Sequence, residues 1–122
     1  MKMTYKYKTE KKLEERKKES EKIISYFPDK IPIICEKDPK CNLTELEKSG
    51  YIIKKNMSVN KFIAIFRKKI KIEEGYAFYL LVNQKYILLG NNTMSEIYDK
   101  FKDKEDGFLY ITYSSELMWG KE

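Results

Sequence analysis

The sequence predicts an α+β fold: a mixed sheet of four or five strands around one main helix, behind an N-terminal helical extension. Three observations carry that prediction. The segment from 59 to about 71 repeats apolar residues at helical spacing. Four shorter segments are β-branched or aromatic and of strand length. Ahead of them, eleven of the thirteen positions from 10 to 22 are charged, and only Leu13 and Ser20 are not.

That charged segment forms helix well through i,i+4 pairs but buries little. Its apolar handles are Leu13, Ile23, Ile24 and Phe27, so it reads as a surface helix laid across something else. Phe27-Pro28-Asp29 ends it, because the residue before proline is pushed out of helical geometry. Lys30–Lys37 is a β-branched run of strand length. Pro32 cannot donate to a ladder, so one side of this strand should lack a partner there. Residues 38–42 form a turn, and residues 50–55 form a second strand. Side chains alternate along a strand, so Tyr51 and Ile53 face one way and Ile52 the other. Something apolar is therefore left outside.

Ser58 is placed to cap the main helix. Val59, Phe62, Ile63, Phe66 and Ile70 make one continuous stripe, and Ile65 lies off it on the flank shared with Phe62 and Lys69. Tyr76–Val82 is a third strand, followed by a loop over 83–92. Thr93 caps a short helix from 94 to about 102, and Asp106-Gly107 turns the chain into a last strand at 108–113. No internal repeat and no domain linker is visible. The expected division is a basic helical extension at 1–27, a sheet-and-helix domain at 28–114, and a flexible tail at 115–122.

Composition narrows the function. The 122 residues suit one domain with a modest core. Cys35 and Cys41 are too few for a disulfide framework, and with no histidine they cannot make the usual four-ligand zinc site. The lack of histidine also removes Cys-His and Ser-His nucleophile pairs, so no enzyme and no cofactor is expected. No apolar run approaches the roughly 20 residues that cross a bilayer, and no secretory signal is visible, which fits a cytoplasmic chain. Of the net charge of +6, residues 1–18 carry most, with eight Lys or Arg against three Glu. Such an arm suits lipid head groups, tubulin-like acidic tails or nucleic acid, or is simply a solvated face. The chain lacks a ribonucleoprotein strand or a Gly-x-x-Gly clamp, so nucleic acid is not an expected partner.

Specific residues then become informative. Glu21-Lys22-Ile23, the run Phe27-Pro28-Asp29-Lys30-Ile31-Pro32-Ile33-Ile34-Cys35-Glu36-Lys37, the run from Phe62 to Ile72, Thr93-Met94-Ser95-Glu96-Ile97-Tyr98, and Asp106 to Ser114 together resemble the ubiquitin-like autophagy modifiers. These are the autophagy-related protein eight family, which includes the GABA-A-receptor-associated protein and the microtubule-associated light chain three. The resemblance implies a ubiquitin-like β-grasp fold and two functional features. A cysteine protease would trim the chain after Gly120. Activating and conjugating enzymes would then pass that carboxyl to phosphatidylethanolamine, giving a lipid-anchored pool on autophagosomal membranes. Receptors and cargo would bind through aromatic-x-x-aliphatic motifs added as a strand beside the sheet. By position, the aromatic pocket takes Glu19, Ile23, Pro32, Ile34, Lys48, Ile52 and Phe108. The aliphatic pocket takes Tyr51, Ile53, Met57, Phe62 and Ile65, and Lys30, Lys48 and Lys69 would meet the motif's acidic flank. Gly50, Lys54 and Met57 depart from the family's usual Lys, Pro and Leu, and Trp119 before Gly120 is bulky. The other reading is an unlipidated module whose basic arm binds tubulin or nucleic acid.

Overall fold

Alternation and helical periodicity locate most elements of the computed structural model, which describes residues 4–117. In chain order these are α1 (Lys6–Glu10), α2 (Leu13–Tyr26), β1 (Lys30–Lys37), β2 (Gly50–Lys54), α3 (Val59–Ile70), β3 (Tyr76–Val82), β4 (Tyr86–Ile87), α4 (Met94–Phe101) and β5 (Leu109–Leu117). The five strands lie in the order β2-β1-β5-β3-β4, with β1 and β5 parallel at the centre and antiparallel pairs outside. This is the ubiquitin-like β-grasp with helices ahead of it.

Each face of the sheet has its own apolar cluster. Ile31, Ile33 and Cys35 of β1 and Leu109, Ile111 and Tyr113 of β5 pack under α3, whose Phe62 and Phe66 are fully buried. Ser58 caps that helix by accepting from the Lys61 N–H at 3.1 Å. Tyr5, Ile34, Phe108 and Tyr110 form the second cluster on the opposite face, under the N-terminal helices.

The structure departs from the sequence reading in four places. The loop at 83–92 contains β4, because Asn83 and Gln84 both adopt left-handed backbone (φ +54° and +59°) and fold a tight hairpin closed by Lys85 N–H to Val82 C=O at 3.0 Å. β5 runs on to Leu117, because β3 begins at Tyr76 and pairs with it there. Residues 115–117, expected in the flexible tail, are therefore laddered. A separate short helix, α1, precedes α2. Finally, of the apolar handles expected for α2 only Ile23 packs against the cluster below, and the rest of the docking is polar. Leu13, Ile24 and Phe27 stay exposed, while Arg16 and Ser20 are buried.

Arg16 Nε donates to Asp106 Oδ2 at 2.8 Å, and Tyr110 Oη donates to the same oxygen at 2.5 Å. Ser20 Oγ donates to the Asp106 carbonyl. The helix approaches so closely that a Cβ on Gly107, itself at φ +82°, would lie 2.8 Å from Ser20 Oγ. The arm ahead of α2 is tied down as well. Glu36 accepts from the backbone N–H groups of Lys6 and Tyr7 at 2.8 and 2.9 Å, and Tyr5 Oη lies 2.8 Å from Thr112 Oγ1.

Candidate functional site

The outer side of β2 has no strand partner among the described residues. Cys35 N–H donates to the Ser49 carbonyl at 2.8 Å, and Lys55 N–H donates to the Asp29 carbonyl at 2.9 Å. These bonds fix the alternation. Tyr51 and Ile53 bond inward to β1, and the backbone N–H and C=O of Ile52 turn outward. The same alternation puts the absent N–H of Pro32 on the β5 side, where the parallel ladder begins only at Ile33. β2 is thus an edge with its backbone groups presented in register for another strand.

An apolar side chain stands uncovered on each side of that edge. Ile52 is 42% exposed on the face of the N-terminal helices, opposite Pro32. Ile65 is 41% exposed on the flank of α3. The residues assigned to the aliphatic pocket gather between β2 and α3, with Tyr51, Ile53 and Met57 half-buried against the main core. Phe62 is a correction here: it is fully buried in the core and supplies only a floor. The Tyr51 ring meets Phe66 edge-on at 5.0 Å, and Lys69 Nζ lies 5.7 Å from the Tyr51 centroid. A cleft of about 560 Å³ opens beside them, lined in part by Lys48, Tyr51, Lys69 and Ile70.

The aromatic set is less open. Pro32, Ile34 and Phe108 are buried, and Ile23 is half-buried. The cover is Tyr7, a residue the sequence reading did not single out. Its ring meets Phe108 edge-on at 5.1 Å and 72°. Its hydroxyl donates to Glu19, which also accepts from Lys11 Nζ at 2.9 Å. Burial acts to raise the Glu19 carboxyl, but those two hydrogen bonds outweigh it and hold the group below its ordinary value. Burial, and then the bond to Glu19, push the Tyr7 hydroxyl above the usual tyrosine range. The signal available in the sequence was an aromatic residue two positions after Tyr5.

Lys48 and Lys69 are exposed. Lys30 is half-buried, with Nζ 5.2 Å from the Phe27 ring. Cys35 is a buried free thiol, pushed up by that burial, and Cys41 is a half-buried free thiol. Gly120 and Trp119 lie outside the described residues.

A family model described as "Autophagy protein Atg8 ubiquitin like" matches residues 15–120. The chain belongs to the Atg8 family. Its relatives span it almost completely. It is 42% identical over 114 residues to autophagy-related protein 8D of Oryza sativa subsp. japonica, covering 93% of this chain and 96% of that one. Against autophagy-related protein 8 of Gibberella zeae it is 39% identical over 119 residues, covering 98% and 99%. The crystal structure of Trypanosoma brucei ATG8 matches with a TM-score of 0.85 at 33% identity, covering 97% of this chain and all of that one. The Atg8-family assignment makes this a ubiquitin-like autophagy protein. No helix among its described residues is long and apolar enough to cross a membrane.

Proposed function

We propose that the chain is a modifier rather than an enzyme, conjugated through Gly120 to phosphatidylethanolamine on autophagosomal membranes after a cysteine protease removes Lys121-Glu122. Receptors and cargo adaptors are gathered by aromatic-x-x-aliphatic motifs that extend the sheet along the outer side of β2. One observation carries this reading: among the described residues β2 is an unpaired edge, flanked by exposed Ile52 on one side and exposed Ile65 on the other. Main-chain hydrogen bonds to a strand added there give affinity, and side chains alternating to either side of it are read separately. Lys48 and Lys69 suit acidic flanking residues, each exposed pair contributing at most about 1 kcal/mol.

The same arrangement weighs against a role resting on the basic arm. Lys6, Lys8, Lys11 and Arg16 are already paired with Glu45, Asp103, Glu19 and Asp106 of their own chain. Much of the arm's charge is spent internally, leaving less for tubulin or nucleic acid.

Gly120→Ala in a reconstituted conjugation system tests the tail, and is expected to abolish lipid attachment. Attachment at the normal rate would reject that assignment. Ile52→Asp and Ile65→Asp test the edge. Each is expected to weaken binding of a synthetic Trp-x-x-Leu peptide at least tenfold, since each inserts a charge where an apolar side chain docks. Unaltered affinity in calorimetry would reject the site.

A further inference from the structure

The ring of Tyr7 covers Phe108, which is only 3% exposed although the peptide-binding reading above assigns it to the aromatic pocket. We propose that Tyr7 is a side-chain gate: it fills the aromatic subsite from within the chain and must rotate away before a peptide aromatic can enter. The inference rests on that peptide-binding reading and adds its regulation.

The backbone of the gate is held by bonds that do not involve its ring. The N–H of Tyr7 and that of Lys6 are both held by the Glu36 carboxylate, and Tyr5 is anchored to Thr112 in the cluster below. The arm therefore stays docked whichever way Tyr7 points. The ring has three specific attachments, the edge contact to Phe108, the hydrogen bond to Glu19 and Lys11 Nζ at 5.5 Å from its centroid, and of these partners Phe108 and Glu19 belong to the subsite it closes. Neither of those two depends on Tyr7. Glu19 keeps Lys11 Nζ at 2.9 Å when the hydroxyl leaves, and Phe108 would be re-covered by the incoming ring. Rotation about the side-chain bonds of a half-buried tyrosine exchanges one aromatic contact for an equivalent one, which is the condition for a reversible gate.

A binding site that is open only part of the time binds with an apparent affinity reduced by the open fraction. Motifs that lack an aromatic at the first position cannot displace Tyr7 and see only the aliphatic half of the edge. The gate thus raises the threshold for weak motifs without removing any contact from strong ones.

The test is calorimetric titration of the full chain with a synthetic peptide carrying Asp-Asp-Trp-Ser-Ser-Leu, using wild type, Tyr7→Ala and Tyr7→Phe. Tyr7→Ala is expected to bind about tenfold more tightly, as for a subsite open in about one molecule in ten. Tyr7→Phe keeps the ring and loses only the bond to Glu19, so a gain of about threefold is expected. Retained protection of the Lys6 amide against hydrogen exchange identifies the gain with the ring and not with release of the arm. Equal or weaker binding by Tyr7→Ala, with wild type still binding, overturns the gate and leaves the peptide site intact. Absence of binding by all three proteins overturns the peptide site, and the gate falls with it.

Discussion

The two faces of the sheet are closed by different physics. Under α3 the closure is apolar: Phe62, Phe66, Ile33, Leu109 and Ile111 are each at most 1% exposed. Under the N-terminal helices four apolar residues are joined by directed bonds, from Arg16, Ser20 and Tyr110 to Asp106 and from the arm's backbone to Glu36. Apolar burial is non-directional and supplies most of the stability of a small domain. A buried ion pair with its hydrogen bonds adds little net stability but fixes where its partners sit. The α3 face therefore supplies most of the apolar closure, and the bonds of the opposite face fix where the N-terminal helices sit. The candidate edge lies along the seam, with Ile65 belonging to one side and Ile52 to the other.

That contrast is sharpest under substitution. Phe66→Ala opens a cavity in the apolar face and is expected to cost about 3–5 kcal/mol, lowering the midpoint of a single cooperative urea transition. Asp106→Asn leaves Arg16 buried without its counter-charge, at a cost of about 3 kcal/mol. Here the loss should be local: amides of α2 lose protection in hydrogen exchange while those of β1 and β5 keep theirs. Protection lost equally everywhere would show that the two faces unfold as one unit.

Acid should separate the faces more gently. Glu19 is held below its ordinary value of 4.5 and Asp103 below 3.8, in each case by hydrogen bonds that outweigh burial. A carboxyl depressed by the fold contributes in full above its unfolded value, and that contribution fades as pH falls through the depressed one. Below pH 4.5 the arm, held by Lys11–Glu19 and Lys8–Asp103, should therefore loosen first. Amide exchange of α1 and α2 rising ahead of α3 is the expected observation. The smallest effect belongs to Ile65→Asp, whose stability should stay within about 0.5 kcal/mol of wild type because the side chain is largely outside the core.

What could be read in the sequence followed the same division. The α3 stripe and the outward turn of Ile52 and Ile65 come from periodicity, because an apolar core imposes its repeat on a half-buried element. β1, buried on both faces, and β3 are legible only as apolar runs of strand length. The polar face imposes no repeat. In a helix charged at almost every position, nothing distinguishes Arg16 as the cation that is buried, since its partner Asp106 lies 90 residues away. Tyr7 escaped notice for the same reason, its role being set by Phe108 and Glu19 together. β4 was missed because its two residues show no alternation, and the turn before it is made by Asn83 and Gln84 without a glycine.

Strand order also constrains how the molecule can be assembled. β5 is the last strand among the described residues yet sits in the middle of the sheet, between β1 and β3. A chain still emerging from the ribosome can make the β1–β2 hairpin and α3, but it has nothing to join β1 to β3 until residue 117 is free. Until then both strands expose unpaired edges, and closing the sheet requires contacts between segments far apart in sequence, the kind that form slowly. Strand order alone therefore makes the sheet complete only once β5 is available to both neighbours.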